Sequence, residues 1–362
     1  MKNSKYILMF LTLVLISACR EIDFLSGPVG KKDVDFNQFI TEKEQEPLAQ
    51  IYYQHGNFIN SKQFPPIVNA SDVLDNLNNW LLIDIRKADA YEAGHINGAY
   101  NVSKDKVLDF IKNKQRASAY SKVAFICYTG QMASYVTGIT RFSGFDNTYV
   151  MLFGMAGWNN QFSASLKTGY GTKYQDMIVK STHKTATIVN QHEAEPGAHK
   201  TIDHSKLPKL PQKAPTVLMD EQAQKLLSQD RKAFLLKADE FFPDYKENSD
   251  KYLPLFYMSK DKYYVAHIKG AVFYQSKKDL SLDAKLADLP IDKDIVVYCK
   301  TGHTGGNAVA YLNMLGYQAK NLMFGSSSFM YDLWKKEGWN TDVSNLINDF
   351  PIISGEKRTN NK

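Results

Sequence analysis

Four short matches at one spacing constrain this chain more than any other feature. His95-Ile96-Asn97-Gly98-Ala99 returns as His267-Ile268-Lys269-Gly270-Ala271, 172 residues on. Cys127 and Gly130 return as Cys299 and Gly302, and Gly144-Phe145 as Gly316-Tyr317, at the same offset. A single match of this kind arises by chance; four in register mark a duplicated domain. A length of 362 residues with 44% hydrophobic residues has room for both copies, each with a core of its own.

Each copy alternates strand and helix patterns. In the first, Ser71 reads as the N-cap of a helix through Leu77, and Trp80–Asp84 and Lys122–Ile126 read as short buried strands. A helix follows from about Ala133 to Phe142, then a strand over Asn147–Leu152. The second copy offers Ala233–Leu236, Asp294–Tyr298 and a helix from Gly306 to Leu315. Continuous apolar strands between helices imply an α/β fold of two tandem domains, each a mainly parallel sheet with helices on both faces. The expected layout is a leader at 1–18, a tether at 19–65, domains at 66–167 and 215–345, a linker at 168–214 and a tail at 346–362. A packed segment around Leu48–Tyr53 interrupts the tether, and the polar tail after Gly355 reads as disordered.

The three cysteines have three settings. Lys2 and Lys5 precede an apolar run, Tyr6–Ile16, too short to span a bilayer and suited to an export signal. Ile16-Ser17-Ala18-Cys19 resembles the lipobox of bacterial lipoproteins. That resemblance implies lipidation at Cys19 and a protein lipid-anchored to a bacterial membrane in the cell envelope, on the periplasmic or surface side. An ordinary signal peptide beside a cysteine is the alternative. Exported proteins usually lock cysteines into disulfides. Here only Cys127 and Cys299 remain, on separate loops of a repeated unit, and they read as two working thiols, with one inter-domain bridge as the alternative. The net charge of +6 is modest, and no basic stripe interleaved with aromatics suggests nucleic acid.

Both remaining cysteines close an apolar strand and open a short loop with glycine at its third following position, then a helix. In an open α/β sheet, ligands bind beyond the carboxyl ends of strands. Backbone N–H groups and a helix N-terminus converge there, favouring the thiolate, which is the nucleophile. Gly130 and Gly302 suit a loop that needs positive φ to curl around one atom.

The order of motifs carries a further resemblance. The first copy has Asp84-Ile85-Arg86, Tyr91 to Ala99, the Cys127 loop and Phe153-Gly154-Met155-Ala156-Gly157-Trp158; the second has Ala266 to Ala271, the Cys299 loop, Phe324-Gly325 and Trp334. This sequence resembles the rhodanese family of sulfurtransferases. The resemblance implies attack by cysteine on the outer sulfur of a thiosulfate-like anion, a cysteine persulfide, and delivery to a thiol or cyanide, with no cofactor and no metal. Cys299 is the preferred nucleophile and Cys127 a second or relay site. The loop Cys299-Lys300-Thr301-Gly302-His303-Thr304 resembles the thiosulfate-specific branch, with Lys300 as substrate cation and His303 as a further donor or charge. Cys127-Tyr128-Thr129-Gly130-Gln131-Met132 carries no charge; the resemblance makes the residues after the cysteine in both loops substrate-binding, and Arg86 either serves the Cys127 site or forms a structural ion pair. His95 and His267 read as packing residues. In the second copy Lys237-Ala238-Asp239 stands in the place of Asp84-Ile85-Arg86, and the aromatic stretch 242–264 suggests a lid or docking surface.

Three other readings compete with this one. A phosphatase of this fold needs arginine six positions after the cysteine, where Ala133 and Gly305 stand. A non-catalytic lipoprotein that binds or carries sulfur is the main alternative. Zinc binding lacks ligand spacing around either thiol.

Overall fold

The computed structural model describes residues 47–112, 119–180, 204–340 and 342–355. The leader, Cys19, most of the tether, residues 181–203 and the tail after Gly355 lie outside that range.

Two five-stranded, wholly parallel sheets form the frame. The first has order β1-β5-β4-β2-β3, with β1 Ile67–Val68, β2 Trp80–Asp84, β3 Tyr100–Asn101, β4 Lys122–Ile126 and β5 Thr148–Met151. After β6 (Ile178–Lys180), the second has order β10-β8-β11-β12-β7. Its strands are β7 Leu235–Leu236, β8 Tyr252–Met258, β10 Val272–Gln275, β11 Asp294–Tyr298 and β12 Ala319–Leu322. All five residues of β2 and the last four of both β4 and β11 are buried, as strands covered on both faces must be. Each cysteine follows the last residue of a central strand, β4 or β11.

Register corrects one sequence expectation. Asp84 pairs with Ile126, and Phe256 pairs with Tyr298 in the equivalent ladder, 172 residues on. The counterpart of Asp84-Ile85-Arg86 is therefore Phe256-Tyr257-Met258. Lys237-Ala238-Asp239 follows β7, an edge strand that takes the position of β1. The middle of the aromatic stretch expected to form a lid is β8, an interior strand with six of seven residues buried.

The loop helices join the copies. Helix α1 (Leu48–Gln54) precedes the first sheet; α2 is Gln131–Phe142, α3 Pro215–Ser228 and α4 His303–Met314. Helices α2 and α4 start two to three residues before their expected positions, because the loop glycine itself serves as N-cap. They pack tightly through small residues. A Cβ on Gly138 would lie 2.5 Å from Ala310 Cβ, and one on Gly306 would lie 2.9 Å from Ser134 Cβ. Tyr52 of α1 seals the same junction, its ring 5.1 Å from Phe142 and 6.2 Å from Tyr311. One continuous apolar core runs through both copies.

The segments that follow the copies are exchanged. After the first copy, β6 pairs antiparallel with β9 (Ala266–Ile268) of the second. After the second copy, Ile353 bridges antiparallel to His95 of the first, and the Trp158 indole N–H donates to Pro351 O at 2.9 Å. Residues 168–180 and 346–355, assigned from sequence to linker and tail, thus complete the opposite domains.

Candidate active sites

The two cysteine loops superimpose in their chemistry. Gly130 N–H and Ala133 N–H donate to Cys127 Sγ at 3.1 and 3.4 Å. Gly302 N–H and Gly305 N–H donate to Cys299 Sγ at 3.2 and 3.3 Å. One donor of each pair belongs to the first turn of α2 or α4, where helical N–H groups have no partner within the helix. Gly130 and Gly302 adopt φ of +89° and +82°, which curls the loop around the sulfur. Each loop is braced from behind by a Phe-Gly pair. Met155 N–H donates to Cys127 O at 2.9 Å, and Ser326 N–H to Cys299 O at 2.8 Å. Phe153 and Phe324 hold φ of +60° and +59° to make that approach. A repeated Phe-Gly was the available signal; the left-handed phenylalanine was not foreseen.

Both sulfurs are free thiols and deeply covered, with Cys127 3% and Cys299 4% exposed. Burial pushes the Cys127 thiol above its ordinary pKa, outweighing the amide hydrogen bonds that favour the anion. The expectation that the loop favours thiolate over thiol fails at this cysteine, because its amides return less than burial removes.

The remaining loop residues divide differently from expectation. His303 does not face a substrate. It is fully buried, Phe153 N–H of the first copy donates to its Nε2 at 3.1 Å, and its Nδ1 lies 3.0 Å from Thr301 Oγ1. Burial pushes its pKa down to about 3, so it is neutral and carries no charge for an anion. Gln131, at the equivalent position, reciprocates: its Nε2 donates to Thr301 O at 3.2 Å, while its Oε1 accepts from Thr129 Oγ1 at 2.5 Å. Together these two side chains stitch the cysteine loops to one another. Lys300 turns its ammonium to Trp339 O at 2.7 Å. Thr301 and Thr304 are half-buried, Met132 packs against the core, and Tyr128 is 44% exposed.

Arg86 is buried against Asp84 at 2.7 Å and also donates to Gly94 O at 2.7 Å. Its guanidinium lies 5.8 Å from the Tyr128 ring centre and 5.2 Å from that of Phe162, and its Nη1 has no hydrogen-bond partner. The second copy has Met258 at this place and so lacks a counterpart of the Arg86 guanidinium. His95 and His267 stack on Tyr91 and Tyr263 at 3.6 and 3.9 Å and bond the carbonyls of those residues through Nδ1.

The family model described as Rhodanese-like domain matches residues 69–161 and again 257–347. The thiosulfate sulfurtransferase GlpE of Pseudomonas entomophila is 30% identical over 89 residues, covering 25% of this chain and 79% of that protein. GlpE of Pseudomonas fluorescens is 29% identical over 89 residues, with the same 25% and 79% coverage. Among solved structures, thiosulfate sulfurtransferase from Pseudomonas aeruginosa is similar at 13% identity, covering 86% of this chain and 50% of that one, with a TM-score of 0.27. A rhodanese-related protein from Thermoplasma volcanium is similar at 20% identity, covering 25% of this chain and 87% of that one, with a TM-score of 0.22. The two matched stretches hold both sulfur-centred loops and together make up just over half of the chain, which belongs to the rhodanese-like domain family as a tandem pair.

Proposed function

We propose that this protein is a sulfurtransferase of the cell envelope, held at a membrane through lipidated Cys19, that moves sulfane sulfur through a cysteine persulfide. The observation that carries the reading is the pair of main-chain N–H groups directed at each sulfur, repeated in both copies. Such donors suit an anionic sulfur. Cys299 attacks the outer sulfur of a thiosulfate-like donor, the donor's S–S bond breaks, and sulfite leaves with the electron pair. A thiol or cyanide then takes the sulfur and restores the thiolate. Cys127 is the second or relay site.

Mass spectrometry of the reduced protein after thiosulfate tests this. A sulfur gain mapped to Cys299 that disappears in Cys299→Ser supports the assignment; a gain that persists in the double variant Cys127→Ser/Cys299→Ser refutes it. Thiocyanate released continuously with cyanide demonstrates turnover. The burial of both sulfurs favours a second reading, a carrier that accepts sulfur once and does not cycle. A single stoichiometric burst of thiocyanate would identify it. Loss of membrane association in Cys19→Ser tests the anchor.

A further inference from the structure

Tyr170 leaves the first copy in sequence yet lies on the second in space. The chain beside it is clamped there: Gly171 N–H donates to Ser327 O at 3.0 Å, and Tyr331 N–H donates to Gly171 O at 3.0 Å. The Tyr170 ring stands edge-on to Phe324, with centroids 5.8 Å apart, and 5.3 Å from the ring of Tyr331. Phe324 leads directly into Gly325, the residue pressed against the Cys299 carbonyl. The Tyr170 hydroxyl is buried and has no hydrogen-bond partner. A phenol held this way costs stability in the resting protein, and phenylalanine would avoid the cost.

Of the polar groups expected to serve Cys299, His303, Thr301 and Lys300 are turned elsewhere. His303 bonds the first copy, Thr301 Oγ1 meets His303, the Lys300 ammonium reaches Trp339 O, and Met258 replaces the arginine. We propose that the Tyr170 hydroxyl is the side-chain donor that holds the outer sulfur carried on Cys299. The second site is thereby completed by a residue from the segment that follows the first copy. The inference rests on the sulfurtransferase reading. When Cys299 Sγ takes the outer sulfur of thiosulfate and sulfite departs, the negative charge moves to the terminal atom of the persulfide, and Tyr170 donates to it without losing its proton. Burial, with smaller contributions from Tyr331 and the Cys299 sulfur, keeps the phenol well above its ordinary pKa, so it remains a donor.

Tyr170→Phe removes the oxygen and keeps the ring. Sulfur occupancy of Cys299 after thiosulfate should fall about tenfold or more, as for one hydrogen bond to a charged atom. Occupancy of Cys127 should be unchanged, and the thermal midpoint equal or higher. Unchanged occupancy at Cys299, or equal loss at both cysteines, overturns the assignment while leaving the sulfurtransferase reading intact. A wild-type protein that takes no sulfur at Cys299 overturns that reading and this one with it.

Discussion

Gly325→Ala isolates the brace behind the Cys299 loop. A Cβ at this position would stand 2.1 Å from Cys299 O and 2.8 Å from its carbonyl carbon, both main-chain atoms with no rotamer to escape into. Its φ of +52° is left-handed, which costs an L-residue roughly 1–2 kcal/mol. The steric part adds about 1–3 kcal/mol, the usual penalty of forcing atoms into filled space. Gly338 provides the matched control: its φ is +72° and a Cβ there meets nothing within 4 Å. Gly338→Ala should therefore lose only the backbone part. The difference between the two variants, about 1–3 kcal/mol, corresponds to roughly a five- to 150-fold change in the unfolding constant. Urea unfolding of both variants measures it. Displacing the Cys299 carbonyl also pulls Gly302 and Gly305 off the sulfur, so persulfide yield at Cys299 should drop in Gly325→Ala and hold in Gly338→Ala. Equal stability losses in the two variants would refute the idea that the brace is steric. Unchanged yield in Gly325→Ala would refute its link to the paired amides.

Other outcomes follow from the buried groups. His303 stays unprotonated in the fold down to about pH 3, whereas the unfolded chain takes up its proton near 6.5. Its contribution to stability is therefore whole above about 6.5 and declines as pH falls, by up to ~1.4 kcal/mol per unit until about 3. His303→Gln, copying Gln131, should flatten the acid limb of a stability–pH profile; an unaltered limb would contradict the buried neutral imidazole. Arg86→Met leaves the Asp84 carboxylate buried and unpaired, and should cost about 3–5 kcal/mol by chemical denaturation. Adding Asp84→Phe, which recreates the pairing of Phe256 with Met258, should recover much of that loss, and failure to recover would show that Arg86 supports more than the carboxylate. Because burial raises the Cys127 pKa, its alkylation rate, followed by peptide mass spectrometry in Cys299→Ser, should still be climbing at pH 9; a plateau near neutrality would contradict the assignment.

The parts of this molecule written in local pattern were legible beforehand. The 172-residue offset, the strands ending at Cys127 and Cys299, and the glycine turns all depend on neighbours close in sequence, and they hold in the structure. β8 is hard to read as a central strand because Pro254 cannot donate to a ladder, yet six of its seven residues are buried inside the sheet. His303 and Gln131 looked like substrate groups because a loop read alone has only solvent before it. Their partners belong to the opposite copy, 150 and 170 residues away. The net acidity of Cys127 was missed for the same reason: amide donors are local, but burial is set by the whole fold.

The exchanged trailing segments change what it means to cut this chain in two. A break anywhere between residues 181 and 203 would leave each half wearing the other's closing segment, like a pair of interlocked clasps. Neither half expressed alone would have its rim covered, while the two mixed together should rebuild the whole without a peptide link. The duplication therefore did not append a second bead to a string; it made each bead the fastener of its neighbour.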